Sequence, residues 1–251
     1  MVNFTMIRTS LLCLALVTAS FLPAAGGPSG ECATDAMLVF DGSGSMVEFG
    51  FDPRQITRIA EARQAVARAM PQIAPTRRIG LLIYGPNDGD SCSGIHLRFP
   101  PRADAAEPVI ADVNGISPGG LTPLAASVQT AADVLNYHKK PGVIVVVTDG
   151  NETCGGRPCA LGATLAAEAR DLTIHVIGFR AIVDFWTWDN PEQEISAGDQ
   201  SVARCLADST GGMYVSANTV QELVDALQET LGCPLYGALP FTRPEDARRR
   251  G

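Results

Sequence analysis

The residues best equipped for chemistry stand together early in the chain, in Asp41-Gly-Ser43-Gly-Ser45. One carboxylate and two hydroxyls within five residues are hard oxygen donors, the kind that Mg²⁺, Mn²⁺ and Ca²⁺ take. The intervening glycines let the backbone turn sharply, so that alternate side chains can converge on one point. Two later positions offer the same chemistry: Thr122 in Gly-Gly-Leu-Thr-Pro-Leu and Asp149 in Val-Val-Val-Thr-Asp-Gly. Each has a plainer reading alone. Thr122 before Pro123 reads as a helix cap, and Asp149-Gly150 reads as a turn.

The elements around these residues decide what they can do together. Met37 to Phe40 is a short apolar run stopped by the glycine-rich loop, a buried strand. A helix follows from about Arg54 to Met70, with Pro71 and Pro75 expected to end it. Arg78 to Tyr84 and the alternating Ile95 to Phe99 read as a hairpin, the second strand at an edge. Pro108 to Ile116 and the stretch from Leu124 to Leu135 read as helices. Gly142 to Thr148 is a continuous Val/Ile run, as in the centre of a parallel sheet. A helix over Cys159 to Arg170, strands over Leu172 to Phe179 and Gly212 to Ser216, and a last helix from Val220 to Leu231 complete the pattern. Strands alternating with helices predict a doubly wound α/β fold, a mostly parallel sheet with helices on both faces and one antiparallel edge strand. In such folds ligands bind at the carboxyl ends of strands, where the strand order reverses. Asp41 and Asp149 both stand at such ends.

The formal net charge of −8 argues against a nucleic-acid partner. Residues 1–26 read as a secretory signal, with Arg8 ahead of the apolar run Leu11 to Leu22 and small residues at Ala24, Ala25 and Gly26. That run is too short to span a bilayer, which needs about 20 residues. The expected organisation is therefore a signal peptide (1–26), a lead-in (27–33), one domain (34–232) and a tail (233–251), periplasmic or secreted, with no transmembrane span left in the mature chain. Cleavage removes Arg8, so the mature charge is −8 − 1 = −9. It also removes Cys13 and leaves Cys32, Cys92, Cys154, Cys159, Cys205 and Cys233, an even number that favours disulfides in an exported chain. Cys154 and Cys159, with four residues between them, suggest a local bridge.

Asp-Gly-Ser-Gly-Ser at 41–45, Thr122 before Pro-Leu and Asp149 after Val-Val-Val-Thr together resemble the metal-ion-dependent adhesion site of von Willebrand factor type A domains. The resemblance spans residues 34 to 232. It implies a cation held by the hydroxyls of Ser43, Ser45 and Thr122, with Asp41 and Asp149 acting directly or through water. It further implies a protein partner whose Asp or Glu completes the coordination, making the chain a binding module for adhesion or assembly. In the resembling fold the domain's two ends lie close together, which implies a Cys32–Cys233 bridge. Two other classes remain: a structural or assembly subunit whose metal only stiffens the loops, and a metal-assisted hydrolase. Against an enzyme, the chain has three histidines and none lies in these loops.

A last expectation concerns the partner's contact. Phe185, Trp186 and Trp188 follow the strand ending at Phe179, among Asp184, Asp189, Glu192 and Glu194. They read either as an interface on the metal face or as core folded onto the sheet.

Overall fold

The computed structural model describes residues 34–48, 56–86, 92–181 and 202–233. Six strands form one sheet in the order β3-β2-β1-β4-β5-β6. They are β1 (Ala36–Asp41), β2 (Ile79–Tyr84), β3 (Ile95–Arg102), β4 (Pro141–Thr148), β5 (Asp171–Phe179) and β6 (Tyr214–Ala217). Only the β2–β3 pair is antiparallel. Every residue of β1 and of β2 is buried, which is why both read as unbroken apolar runs. The doubly wound α/β fold expected from the pattern is the one observed.

Alternate residues along the strands feed two cores. On one face Leu38, Phe40, Leu81, Val145 and Val147 pack beneath α1 (Arg58–Ile73), α2 (Ala106–Asn114) and α6 (Val220–Leu231). On the other, Met37, Val39, Tyr84, Ile144 and Val146 pack beneath α3 (Leu124–Leu135), α4 (Pro158–Glu168) and α5 (Arg204–Thr210). From β1 the chain goes to β2 on one side, and later to β4 on the other. The order therefore reverses between β1 and β4, and their carboxyl ends flank the crevice where such sheets bind ligands.

Two expectations are corrected. Pro71 lies inside α1, which runs on to Ile73. Near the last turn a proline forfeits a single backbone bond, and Ile73 still reaches the core, so packing carries the helix past it. Cys154 and Cys159 do not bridge each other. Cys92 pairs with Cys154 and Cys159 with Cys205, with Cα separations of 5.6 and 4.8 Å. Gly155, at φ +72°, turns the chain between them. Cys154 then faces the β2–β3 hairpin, while Cys159 enters α4, which packs on α5 where Cys205 sits. Cys233 is disulfide-bonded, and its expected partner Cys32 lies outside the described residues. So do the signal segment 1–26 and the aromatic group Phe185, Trp186 and Trp188.

Candidate metal centre

Asp41 is the last residue of β1 and is fully buried. Its Oδ1 accepts from the Ser43 amide at 2.8 Å. Its Oδ2 accepts from the Tyr84 hydroxyl and from the Thr148 hydroxyl, each at 2.9 Å. Both of those donors come from strands beside β1, so the sheet itself holds this carboxylate. Burial, and then the negative charge of Asp41, push the Tyr84 phenol well above its ordinary range, so it stays a donor.

The chain after Asp41 tightens into a 3-10 turn, Gly44–Val47. Ser43 and Ser45 bring their Oγ atoms within 3.1 Å of each other. Ser45 Oγ then donates to Asp149 Oδ1 at 2.7 Å, joining residues 104 positions apart. Gly85, at φ +101°, packs directly on the backbone of Ser43, where a Cβ would collide with it. The close fit keeps this loop in place.

Thr122 comes in on the loop before α3. Gly44 donates to Gly120 O at 3.1 Å and Gly119 donates to Gly42 O at 2.9 Å, which seats that loop on the first. On its other side the Thr122 amide donates to Thr153 Oγ1 at 2.8 Å, and the Thr153 amide donates back to Thr122 O at 3.1 Å. Thr122 does not cap α3. The Ala125 amide is taken instead by the buried Glu152 Oε2 at 2.8 Å, and Glu152 Oε1 accepts from the Cys154 amide at 2.7 Å. The Cys92–Cys154 bridge ties the same segment to the hairpin. All five expected site residues therefore lie on three loops cross-linked to one another. Asn151, in the same segment, is buried as well.

Asp149, one residue beyond β4, is also buried. Burial, reinforced by the charge of Asp41, pushes its carboxyl up to about 7, while Ser45 and Arg58 pull it back. Arg58 is the residue that sequence reading missed. It opens α1, and its Nη1 donates to Asp149 Oδ2 at 3.0 Å, to Ser45 O at 3.1 Å and to Glu48 Oε2 at 3.1 Å. A signal existed: a cation in the first turn opposes the helix dipole and calls for an anion beside it. One turn on, Glu61 receives Arg180, which leaves β5, at 2.8 Å. Burial raises the Glu61 carboxyl, and the Arg180 charge opposes that rise.

The donor set is therefore three hydroxyls and two buried carboxylates, all oxygen. Among the described residues no group of three or more His, Cys, Asp or Glu is placed to hold a metal ion. Two carboxylates crowded against one guanidinium, one of them resisting ionisation, suit a hard divalent cation that would neutralise the pair.

Residues 36–152 match the family model described as von Willebrand factor type A domain. That span contains all five expected ligands. A curated relative, the uncharacterized protein YwmD of Bacillus subtilis, is 25% identical over 86% of this chain and 93% of its own length. Among solved structures, the pilus adhesin SpaC of Lactobacillus rhamnosus GG aligns over 79% of this chain and 30% of its own, at 13% identity and a TM-score of 0.59. Proximal thread matrix protein 1 of the mussel byssus, with a zinc-occupied metal-ion-dependent adhesion site, aligns over 80% and 48%, at 14% identity and a TM-score of 0.51. At these identities the structures show a shared fold. No helix among the described residues is long and apolar enough to cross a membrane.

Proposed function

We propose that this chain is a metal-dependent protein-binding module, exported from the cytoplasm, whose divalent cation is completed by an acidic side chain of its partner. The observation that carries the reading is the 2.7 Å contact of Ser45 Oγ with Asp149 Oδ1, which closes an oxygen-only cluster at the point where the strand order reverses. Ser43, Ser45 and Thr122 would offer hydroxyls and Asp149 a carboxylate oxygen. Asp41 has both oxygens engaged by protein donors and would act through water. Mg²⁺ retains waters readily, which leaves a place for an outside carboxylate. The exposed apolar side chains of Val47 and Ile56 stand beside the cluster in sequence and offer area to a partner. The metal-loaded site of the mussel protein supports a cation here, and the pilus adhesin supports a role in adhesion or assembly. The disulfides support an oxidising compartment, periplasmic or extracellular. No catalytic role is assigned: the hydroxyl and carboxylate oxygens serve to hold an ion, and the imidazoles lie elsewhere.

The test is a thermal melt with Mg²⁺ or Mn²⁺ against EDTA, because a ligand that binds only the native state raises its melting temperature. The wild type should rise with metal and Asp149→Ala should not. Equal responses would overturn the site. Pull-down from an envelope fraction with Mg²⁺ against EDTA then identifies the partner. A metal-induced melt shift with no metal-dependent capture would favour a purely stabilising ion.

A further inference from the structure

Arg58 is an unusual neighbour for a cation site. Its side chain is 4% exposed, and the Asp149 side chain it meets is 0% exposed. The guanidinium takes Asp149 Oδ2, leaving Oδ1 to the Ser45 hydroxyl, and it holds the Ser45 carbonyl as well. Its remaining counter-charge, Glu48, is 58% exposed and screened by solvent. With both carboxylates ionised, as a bound cation requires, the buried charges of the centre are Asp41, Asp149 and Arg58, which sum to one negative charge. A divalent ion turns that sum to one positive charge. Without Arg58 the loaded centre would be neutral.

We propose that Arg58 is the resident counter-charge of this centre: it loosens the hold on the ion and keeps the loaded site positive, so that an outside carboxylate is drawn to complete it. This rests on the metal-dependent reading above. A carboxylate-only site of the same size would bind the ion tightly and have little residual pull on an acidic partner. With Arg58 in place, ion and partner carboxylate are bound cooperatively, because each relieves the charge left by the other. Arg58 is thus a positioning and tuning residue that needs no contact with the partner.

Calorimetric titration of the folded, disulfide-intact chain with Mn²⁺ tests this. Arg58→Gln should bind Mn²⁺ about tenfold more tightly, since a like charge a few ångströms away has been removed from a partly buried site. Arg58→Lys should stay near the wild type. A second readout uses acetate as the carboxylate probe and follows water-proton relaxation by the bound Mn²⁺. Arg58→Gln should need several times more acetate than the wild type to displace bound water. If Arg58 only braced the loop, its loss would weaken Mn²⁺ binding, and that result, or an unchanged affinity, overturns the proposal. Should Arg58→Gln fail to melt cooperatively, Glu48→Gln serves instead. It is exposed, it frees the guanidinium of its outer counter-charge, and it should loosen Mn²⁺ about twofold. No change there counts against the counter-charge. If the wild type takes up no Mn²⁺, the metal reading falls with it, whereas a wild type that binds and an Arg58→Gln that binds no tighter sinks the counter-charge alone.

Discussion

The Tyr84 hydroxyl lies 2.9 Å from Asp41 Oδ2, at the buried junction of β2 and β1. The same oxygen accepts from Thr148 on β4, so three neighbouring strands meet on one carboxylate. Asp41 Oδ2 is thus positioned by the body of the sheet, while Oδ1 takes the Ser43 amide of the loop. That arrangement separates two tasks: the sheet orients the carboxylate, and the glycine-rich loop supplies the hydroxyls.

Tyr84→Phe removes one of those bonds and leaves the ring's packing. A hydrogen bond to a charged group is worth about 2 kcal/mol. The melting temperature should fall by roughly 4–8 °C for a domain of this size, measured in EDTA. Mn²⁺ affinity should fall several-fold, because Asp41 keeps its place through fewer bonds. An unchanged metal affinity would show that Thr148 suffices.

Asp149 should make metal binding at the proposed centre pH-dependent. Its carboxyl is raised to about 7 by burial and by Asp41, from an ordinary value near 3.8. A raised acid stabilises the metal-free fold most at low pH, and that contribution is lost as pH rises through the folded value. The metal needs the ionised form, so Mn²⁺ affinity should climb from pH 5 toward pH 7 and level off above it. In EDTA, Asp149→Asn should flatten the loss of stability over the same interval. An affinity independent of pH between 5 and 7 would contradict this.

His175 acts in the opposite direction. It sits on β5, and its Nδ1 accepts from the Met213 amide at 3.1 Å. Burial, then the charge of Arg77, lower it to about 4. Protonation would place a hydrogen on the accepting nitrogen and break that bond. A depressed histidine contributes stability above pH 6.5 that is lost as pH falls toward 4. His175→Asn keeps an acceptor near the same position without titrating. Its melting temperature should therefore depend less on pH between 6.5 and 4 than that of the wild type.

The grouping of the five candidate residues was legible because each sits at a seam that sequence displays. Asp41 and Asp149 end apolar runs, and Thr122 precedes a helix. The mostly parallel sheet followed from alternating strands and helices, and its antiparallel edge from the hairpin. What sequence did not display was the company these residues keep. Tyr84 reads as one more apolar strand residue, and only the register places its hydroxyl on Asp41. Glu152 reads as a loop acid, yet it caps α3 from a different loop. Cys154 and Cys159 looked like natural partners because they are near in sequence. Their true partners are set by helix packing and by the hairpin, and nothing local encodes those contacts.

The two bridges invite a direct contrast. Cys92–Cys154 closes 62 residues and Cys159–Cys205 closes 46. In the chain-entropy model such loops are worth nearly the same, about 4 kcal/mol each. Replacing either pair by serine should therefore lower the melting temperature in EDTA by a similar amount. Their positions differ. Cys154 is joined through its amide to Glu152, which holds the start of α3, and Thr153 beside it exchanges two bonds with Thr122. Cys159 and Cys205 join α4 to α5, and neither helix carries a candidate ligand. Loss of Cys92–Cys154 should thus weaken Mn²⁺ binding several-fold, by releasing the loops that carry Thr122 and Asp149. Loss of Cys159–Cys205 should leave Mn²⁺ affinity within about twofold of the wild type, a difference too small to matter against a tenfold step of 1.4 kcal/mol. Equal metal affinities in the two double mutants would mean that the hairpin bridge stabilises the fold without shaping the site.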